Sequence, residues 1–266
     1  MKIKIKYIQF FLLLFITPLI AQQNSVYDPR ETFNSSFDKY YNSVYRNADG
    51  TPGTEYWQNK ADYKINVKLN EAYKTISGNE VITYINNSPD NLDFLWLYLD
   101  QSRLKSDSRS RMTFAPNVTD KEEFNGGLDI KNVSISEDGN LKSADYLISD
   151  TRMQIRLEQP LKSKGGKIEI HIDYSFEIPP QNIARSGWMD SKNGVIYDVA
   201  QWYPHMAVYD DLKGWNTLPF LGTGEFYYDY GDYDFSINVP SGQIVVASGE
   251  LVNPDEVLTK KEIEQL

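Results

Sequence analysis

Among the residues able to carry chemistry, the two histidines come first, because the 266-residue chain has 2 His and 0 Cys. Those counts remove disulfides, thiolate nucleophiles, cysteine-rich zinc modules and iron–sulfur clusters. They also leave too few imidazoles for a three-histidine metal site, so metal chemistry would have to lean on carboxylates. His171 is flanked at two-residue spacing by Glu169 and Asp173, the arrangement of one polar strand face, which alternation alone would produce. His205 lies in Gln201-Trp202-Tyr203-Pro204-His205 with Asp210 and Asp211 nearby. No H-E-x-x-H occurs, so the helical spacing that lets two imidazoles grip one zinc is missing.

Other candidate chemistry weakens when weighed by spacing. Asp229, Asp232 and Asp234 invite a calcium site, but they do not follow the EF-hand loop, and Gly231 reads as part of a strand-initiating turn. Gly222-Thr223-Gly224 reads as a tight turn, since no Gly-Lys-Ser/Thr follows it. Ser186-Gly187 is at most half of a nucleophile elbow. With 37 Asp and Glu, carboxylate pairs of glycosidase type are too numerous to carry meaning. Asn86-Asn87-Ser88, Asn117-Val118-Thr119 and Asn132-Val133-Ser134 fit the glycosylation triplet and receive no role.

The elements that must hold these residues read as β structure. The chain carries 19 Tyr, 12 Phe and 5 Trp with 16 Gly and 12 Pro, a composition that leans toward strands. Tyr63, Ile65, Val67 and Leu69 alternate with Lys64, Asn66 and Lys68, the period of a half-buried strand. Residues 81–85 continue the pattern after an expected turn at Ser77-Gly78-Asn79, and residues 94–99 form an apolar run read as a strand covered on both faces. In residues 167–177, Ile168, Ile170, Ile172, Tyr174 and Phe176 share one face, and the run ends at Pro179-Pro180. Residues 153–157, 233–239 and 244–247 supply further expected strands, with no amphipathic helix pattern before Asn253. Many strands without intervening helices predict an all-β fold, an antiparallel β-sandwich or saddle.

Both ends differ from this middle. Lys2, Lys4 and Lys6 before an apolar run over residues 8–16 read as an export signal, residues 1–21, with cleavage after Ala21. The apolar stretch is shorter than the ~20 residues of a bilayer span, which predicts an exported, periplasmic or extracellular protein. Residues 22–58 form an irregular lead-in, residues 59–252 the β domain, and residues 253–266 the start of a helical segment marked by Pro254 and a Thr259-x-x-Glu262 capping box. That last feature suggests a chain truncated inside a longer protein. The balance of 27 Lys and Arg against 37 Asp and Glu gives a net charge of −10. No nucleic-acid partner is expected, and no membrane partner beyond export.

The segment 196–230 interleaves Trp202, Tyr203, Tyr209, Trp215, Phe220, Phe226, Tyr227, Tyr228 and Tyr230 with Gly and Pro. Such rings either line a ligand cleft or plug the open end of a sandwich. The same stretch carries a family resemblance. Val199-Ala200-Gln201-Trp202-Tyr203-Pro204, Met206-Ala207-Val208-Tyr209-Asp210-Asp211 and Gly214-Trp215-Asn216 look like the amino-terminal domain of bacterial M1-family zinc metallopeptidases. So do Gly224-Glu225-Phe226-Tyr227, residues 245–251, and the earlier Pro52-Gly53, Tyr56-Trp57-Gln58 and Tyr98-Leu99-Asp100-Gln101. The resemblance covers about residues 56–258.

It implies a β-saddle walling the cleft of a following zinc-bearing catalytic domain. Zinc ligands in H-E-x-x-H and a substrate-binding G-x-M-E-N strand would lie outside this chain, which by itself would bind no zinc and hydrolyse nothing. The implied partners are peptide substrates and that downstream catalytic domain, and the implied activity is aminopeptidase hydrolysis. The implied substrate-binding residues are Gln201 and Tyr203. Many aminopeptidases of the family have Gln-x-Glu here, whereas this chain has Tyr203 at the Glu position; a phenol accepts a hydrogen bond from an ammonium but gives up the ion pair. A secreted carbohydrate- or protein-binding β-sandwich without catalysis is the other reading, with Trp202 and Trp215 as a stacking platform.

Overall fold

A computed structural model describes residues 43–47, 51–114, 124–136, 139–180, 185–222 and 226–265. The expected export signal, most of the lead-in, the Asn117 triplet and the residues Thr223 to Glu225 lie outside the described residues. The chain divides into two compact units, Met1–Tyr56 and Trp57–Leu266. In the first, Arg46 bridges to Pro52 and its guanidinium lies 5.6 Å from the Tyr56 ring centre.

The second unit opens with three strands, β1 (Lys60–Asn70), β2 (Thr75–Asn86) and β3 (Leu92–Tyr98), then a 3-10 turn (Asp100–Leu104) and a short helix α1 (Arg109–Phe114). Strands β4 (Asp129–Ser136), β5 (Leu141–Ser143), β6 (Asp145–Ser149), β7 (Arg152–Leu161) and β8 (Gly166–Glu177) follow. Next come β9 (Ser186–Ser191), β10 (Gly194–Val199), β11 (His205–Met206), β12 (Tyr209–Asp210), β13 (Gly214–Trp215) and β14 (Tyr233–Asn238). The helices α2 (Pro254–Val257) and α3 (Lys260–Ile263) close the described chain, the latter with the Thr259–Glu262 capping box in place.

The fold is all-β. A six-stranded sheet runs β14-β1-β2-β8-β4-β5, and a four-stranded sheet runs β11-β3-β7-β6. Pairing is antiparallel except that β14 lies parallel to β1, with Tyr63 beside Tyr233 and Val67 beside Ile237. The inward residues of β1 and β8 are those that alternation selects. Ile65, Ile168, Ile170 and Ile172 are each at most 1% exposed, and each contributes about 1.5–3 kcal/mol by leaving water. They meet Leu95, Leu97, Met153, Ile155 and Met206 of the four-stranded sheet in one core. On the other face of β3, Phe94, Trp96 and Tyr98 are half-buried, with the Arg152 guanidinium over Trp96 at 5.8 Å.

Three expectations change. β2 runs unbroken through Ser77-Gly78-Asn79, and the turn lies at residues 71–74, where Lys74 has φ of 54°. Gly78 is needed for space: a Cβ there would sit 2.5 Å from the Tyr174 ring, which fills the side-chain position opposite it on β8. Gly78→Ala should therefore lower the urea midpoint by the equivalent of about 1–2 kcal/mol, whereas an exposed strand alanine would change little. The α1 turn lacks the length for an amphipathic pattern and was not legible. Residues 244–247 form no strand among the described residues, because no neighbour pairs with them; Ile244 and Val246 are 61% and 91% exposed.

Candidate functional site

Residues 200–206 cross the end of the sandwich and are fixed almost residue by residue. The Gln101 amide donates to the Ala200 carbonyl at 2.6 Å, and the Ala200 N–H donates to Ser186 Oγ at 3.0 Å. Ser186 is buried and spent on this anchor, so it is no nucleophile. Gln201 then takes φ of 49°, a left-handed conformation costly to a residue with a Cβ. Its neighbours hold it there. Its side-chain amide makes no hydrogen bond among the described residues.

Trp202 packs edge-on against Tyr203 and Phe235, and Tyr203 packs edge-on against Tyr63 and Tyr233. The Met206 N–H donates to the Tyr63 hydroxyl at 2.9 Å. Trp215 contacts Tyr209 edge-on and stacks near Tyr84. Trp202, Tyr203, Tyr209 and Trp215 thus pack against the core, whereas Tyr227, Tyr228 and Tyr230 of the same segment are exposed. Tyr203 is half-buried, and burial, followed by the nearby hydroxyl of Tyr233, holds its phenol well above the usual range. It is therefore neutral at physiological pH.

His205 closes the segment. It is 3% exposed, with Nε2 at 3.1 Å from Asp100 Oδ2 and Nδ1 at 3.1 Å from the Met206 carbonyl oxygen. Both ring nitrogens face acceptors, so only the doubly protonated ring can donate to both. Tyr98 stacks on one side at 5.3 Å and Tyr228 lies tilted at 4.4 Å. This imidazole is structural, tying the Gln201 turn to the 3-10 turn after β3.

Sequence reasoning passed over Glu80. It stands on the inward face of β2, 1% exposed, between Ile65 of β1 and Ile172 of β8. Neither carboxyl oxygen has a hydrogen-bond partner among the described residues. Burial drives its carboxyl well above the usual carboxylate range. The surrounding phenols of Tyr63, Tyr174, Tyr203 and Tyr233 are raised as well, by burial first and by the Glu80 carboxyl as a lesser cause. The signal was present, because Ile76, Gly78, Glu80, Ile82 and Tyr84 share one phase of β2; an expected turn at residues 77–79 hid it.

The remaining candidates disperse. His171 Nε2 lies 3.7 Å from Glu169 on a partly exposed face. Asp232 pairs with Lys60 at 2.8 Å, while Asp229 turns toward Asp210 and is raised to about 7, by burial first and then by that second carboxylate. Asn86 is buried, and its amide serves the Asp90 and Lys162 carbonyls, so it is no glycan acceptor. Among the described residues no group of three or more His, Asp or Glu side chains converges to hold a metal. These residues do not fit a zinc centre. Nor is any helix among them long and apolar enough to cross a membrane.

No protein-family model matches the chain, and no curated protein sequence matches it. Solved structures similar to it are M1 zinc metallopeptidases. One from Deinococcus radiodurans, a variant bound to a Tyr-Ser-Ala substrate, aligns at 14% identity and a TM-score of 0.40 over 73% of this chain and 35% of its own. Another from Deinococcus radiodurans aligns at 12% identity and a TM-score of 0.38, over 73% of this chain and 35% of its own. A two-domain M1 zinc metallopeptidase bound to L-tryptophan aligns at 12% identity and a TM-score of 0.38, over 76% of this chain and 39% of its own. The chain thus spans little more than a third of the structures it matches.

Proposed function

We propose that this chain is the amino-terminal cleft domain of an exported M1-type zinc metallopeptidase, acting on peptides beside a zinc-bearing domain. The observation that carries the reading is the Gln201 turn. The Gln-Trp-Tyr-Pro motif that resembles the family opens on a strained turn at Gln201, directly after the doubly anchored Ala200, and the Gln201 side chain makes no hydrogen bond among the described residues. Strain of about 1–3 kcal/mol persists where surrounding contacts over-determine it, and such sites cluster at ligand clamps.

In this role Gln201 accepts a hydrogen bond from the substrate's amine through its amide oxygen. Tyr203, held between Tyr63 and Tyr233, forms a neutral wall that keeps water from the amide. No charged group of the motif opposes an ammonium, so the terminal amine is oriented by hydrogen bonds and the ion-pair contribution is forgone. Zinc, where a partner domain holds it, would supply the activated water; residues of this chain bind and orient.

The test uses the natural full-length product of the gene. It should release the chromophore from aminoacyl anilides in a chelator-sensitive manner, while the 266-residue chain alone should not. Gln201→Ala should raise KM about tenfold or more with kcat much less affected, because a hydrogen bond to a charged group contributes roughly 1.5–3 kcal/mol of uniform binding. Chelator-sensitive turnover by the chain alone, or an unchanged KM in Gln201→Ala, would overturn the assignment.

A further inference from the structure

The open end of the β9–β10 hairpin gathers two arginines. The last cross-strand pair of that hairpin is Ser186 with Val199, so Arg185 precedes β9 beside the point where Ala200 and Gln201 leave β10. Cross-strand neighbours lie about 5 Å apart. Both positions are left-handed, with φ of 64° at Arg185 and 49° at Gln201. Gln101 ties the 3-10 turn to the same point, its amide 3.3 Å from Ser186 Oγ and 2.6 Å from the Ala200 carbonyl oxygen. Arg103, two residues along that turn, is brought to the hairpin end with it.

Neither guanidinium is spent on the fold. Among the described residues Arg103 and Arg185 make no ion pair and no side-chain hydrogen bond, although the chain has 37 Asp and Glu against 27 Lys and Arg. Arg185 is exposed and Arg103 half-buried. The Arg103 guanidinium lies over the Phe220 ring at 5.4 Å. It also packs on Gly222, where a Cβ would come within 2.4 Å of Nη1, so the missing side chain leaves the room it occupies. Burial, opposed by the Asp100 charge and reinforced by the Arg185 guanidinium, holds Arg103 below the usual arginine range. Asp100 is committed elsewhere, with Oδ2 at 3.1 Å from His205 Nε2. Two partly desolvated like charges without a counter-ion raise the energy of the fold, and an anion shared between them lowers it.

We propose that Arg103 and Arg185 form a carboxylate-binding site at the hairpin end, taking an acidic side chain or the free C-terminus of the peptide whose amine Gln201 holds. That the ligand is a peptide rests on the function proposed above; the anion site does not. Each guanidinium presents N–H donors in a fixed fork that matches the two oxygens of a carboxylate. Phe220 and Gly222 fix Arg103 as the preorganised donor, and the exposed Arg185 supplies the second. Extended peptide advances about 3.5 Å per residue, so the carboxylate belongs to one of the first few residues. The chemistry asked of the substrate is a short peptide with a free carboxyl end, or an acidic residue near its amino end.

The experiment titrates the 266-residue chain with four ligands and follows the Nε–H resonances of Arg103 and Arg185 by NMR. The ligands are acetyl-Ala-Ala-Ala with a free carboxylate, acetyl-Ala-Glu-Ala-amide, the neutral acetyl-Ala-Ala-Ala-amide, and inorganic phosphate. Acetylation removes the amine, so the contact proposed for Gln201 plays no part and the two proposals fail separately. At least one acid-bearing peptide should shift both resonances saturably, with a Kd about tenfold or more below that of the neutral peptide, the effect of a charge-assisted hydrogen-bonded contact. Whichever of the two binds more tightly identifies the source of the carboxylate. Arg185→Gln should remove that preference while leaving the thermal melt unchanged, and Arg185→Lys should keep only part of it, because the charge stays and the fork is lost. Equal affinity for the acidic and neutral peptides would overturn the proposal. So would an undiminished preference in Arg185→Gln, or phosphate binding more tightly than either acid.

Discussion

Truncating Asp100 to alanine should cost about 1–3 kcal/mol of stability, the range for leaving a buried hydrogen-bonding group without its partner. Asp100 and His205 are 1% and 3% exposed and meet at 3.1 Å. Removing the carboxylate leaves Nε2 facing a cavity while Nδ1 remains on the Met206 carbonyl. Asp100→Asn should cost far less, about 1 kcal/mol, because its amide can donate to Nε2 of a neutral ring that still donates from Nδ1. Urea unfolding of the three proteins measures the difference. Equal midpoints for Asp100→Ala and the parent chain would show that the pair carries no net stability. The contact also reaches the Gln201 turn, four residues earlier in the chain. On the proposed role of that turn, Asp100→Ala in the natural gene product should therefore raise KM even at temperatures where the domain stays folded.

Replacing Glu80 with leucine should do the opposite and stabilise the fold, by about 2–3 kcal/mol at pH 8. An unpartnered buried polar group costs roughly 1–3 kcal/mol, and more when ionised. The sign follows from linkage. The folded state holds the Glu80 proton well above the pH at which the unfolded chain, near 4.5, releases it. The folded state therefore binds more protons in that window, and stability falls as pH rises from about 4.5 through the raised folded value. Asp229, raised from 3.8 to about 7, adds slope of the same sign between those limits. Glu80→Leu should show its smallest gain near pH 4 and its largest above pH 7. A gain independent of pH would mean that Glu80 is not protonated in the fold. A loss at every pH would mean that the carboxyl has a partner essential to the domain.

Much of the architecture follows from alternation. Tyr63, Ile65, Val67 and Leu69 of β1, and Ile168 to Phe176 at every second position of β8, are buried as their spacing predicts. The capping box at Thr259 and Glu262 formed as read. Gly78 shows where the local rule fails. In the sequence it marks a turn; in the fold it makes room for Tyr174, a residue 96 positions later that β-pairing brings opposite it. That one misreading also hid Glu80, whose inward phase is visible only when β2 is continuous. The strand expected at residues 244–247 fails for the reciprocal reason: propensity can offer a strand, but only a neighbouring edge can complete its hydrogen bonds.

The site divides in the same way. Gln201 and Tyr203 were named from a motif, and the fold gives them different surroundings, setting Gln201 on a left-handed turn with no side-chain hydrogen bond among the described residues and packing Tyr203 into a cluster with Tyr63 and Tyr233. By itself the sequence determined the all-β class, the faces of the long strands and the concentration of aromatic rings between residues 196 and 230, because periodicity and composition are local properties of the chain. Only the tertiary structure decided that β14 pairs in parallel with β1, that His205 meets an aspartate 105 residues away, and that the Glu80 carboxyl is buried with no hydrogen-bond partner among the described residues. Each of those depends on which distant strands share an edge, and the energies that choose the pairing come from burial and hydrogen bonding across the sheet, which spacing along one strand does not encode.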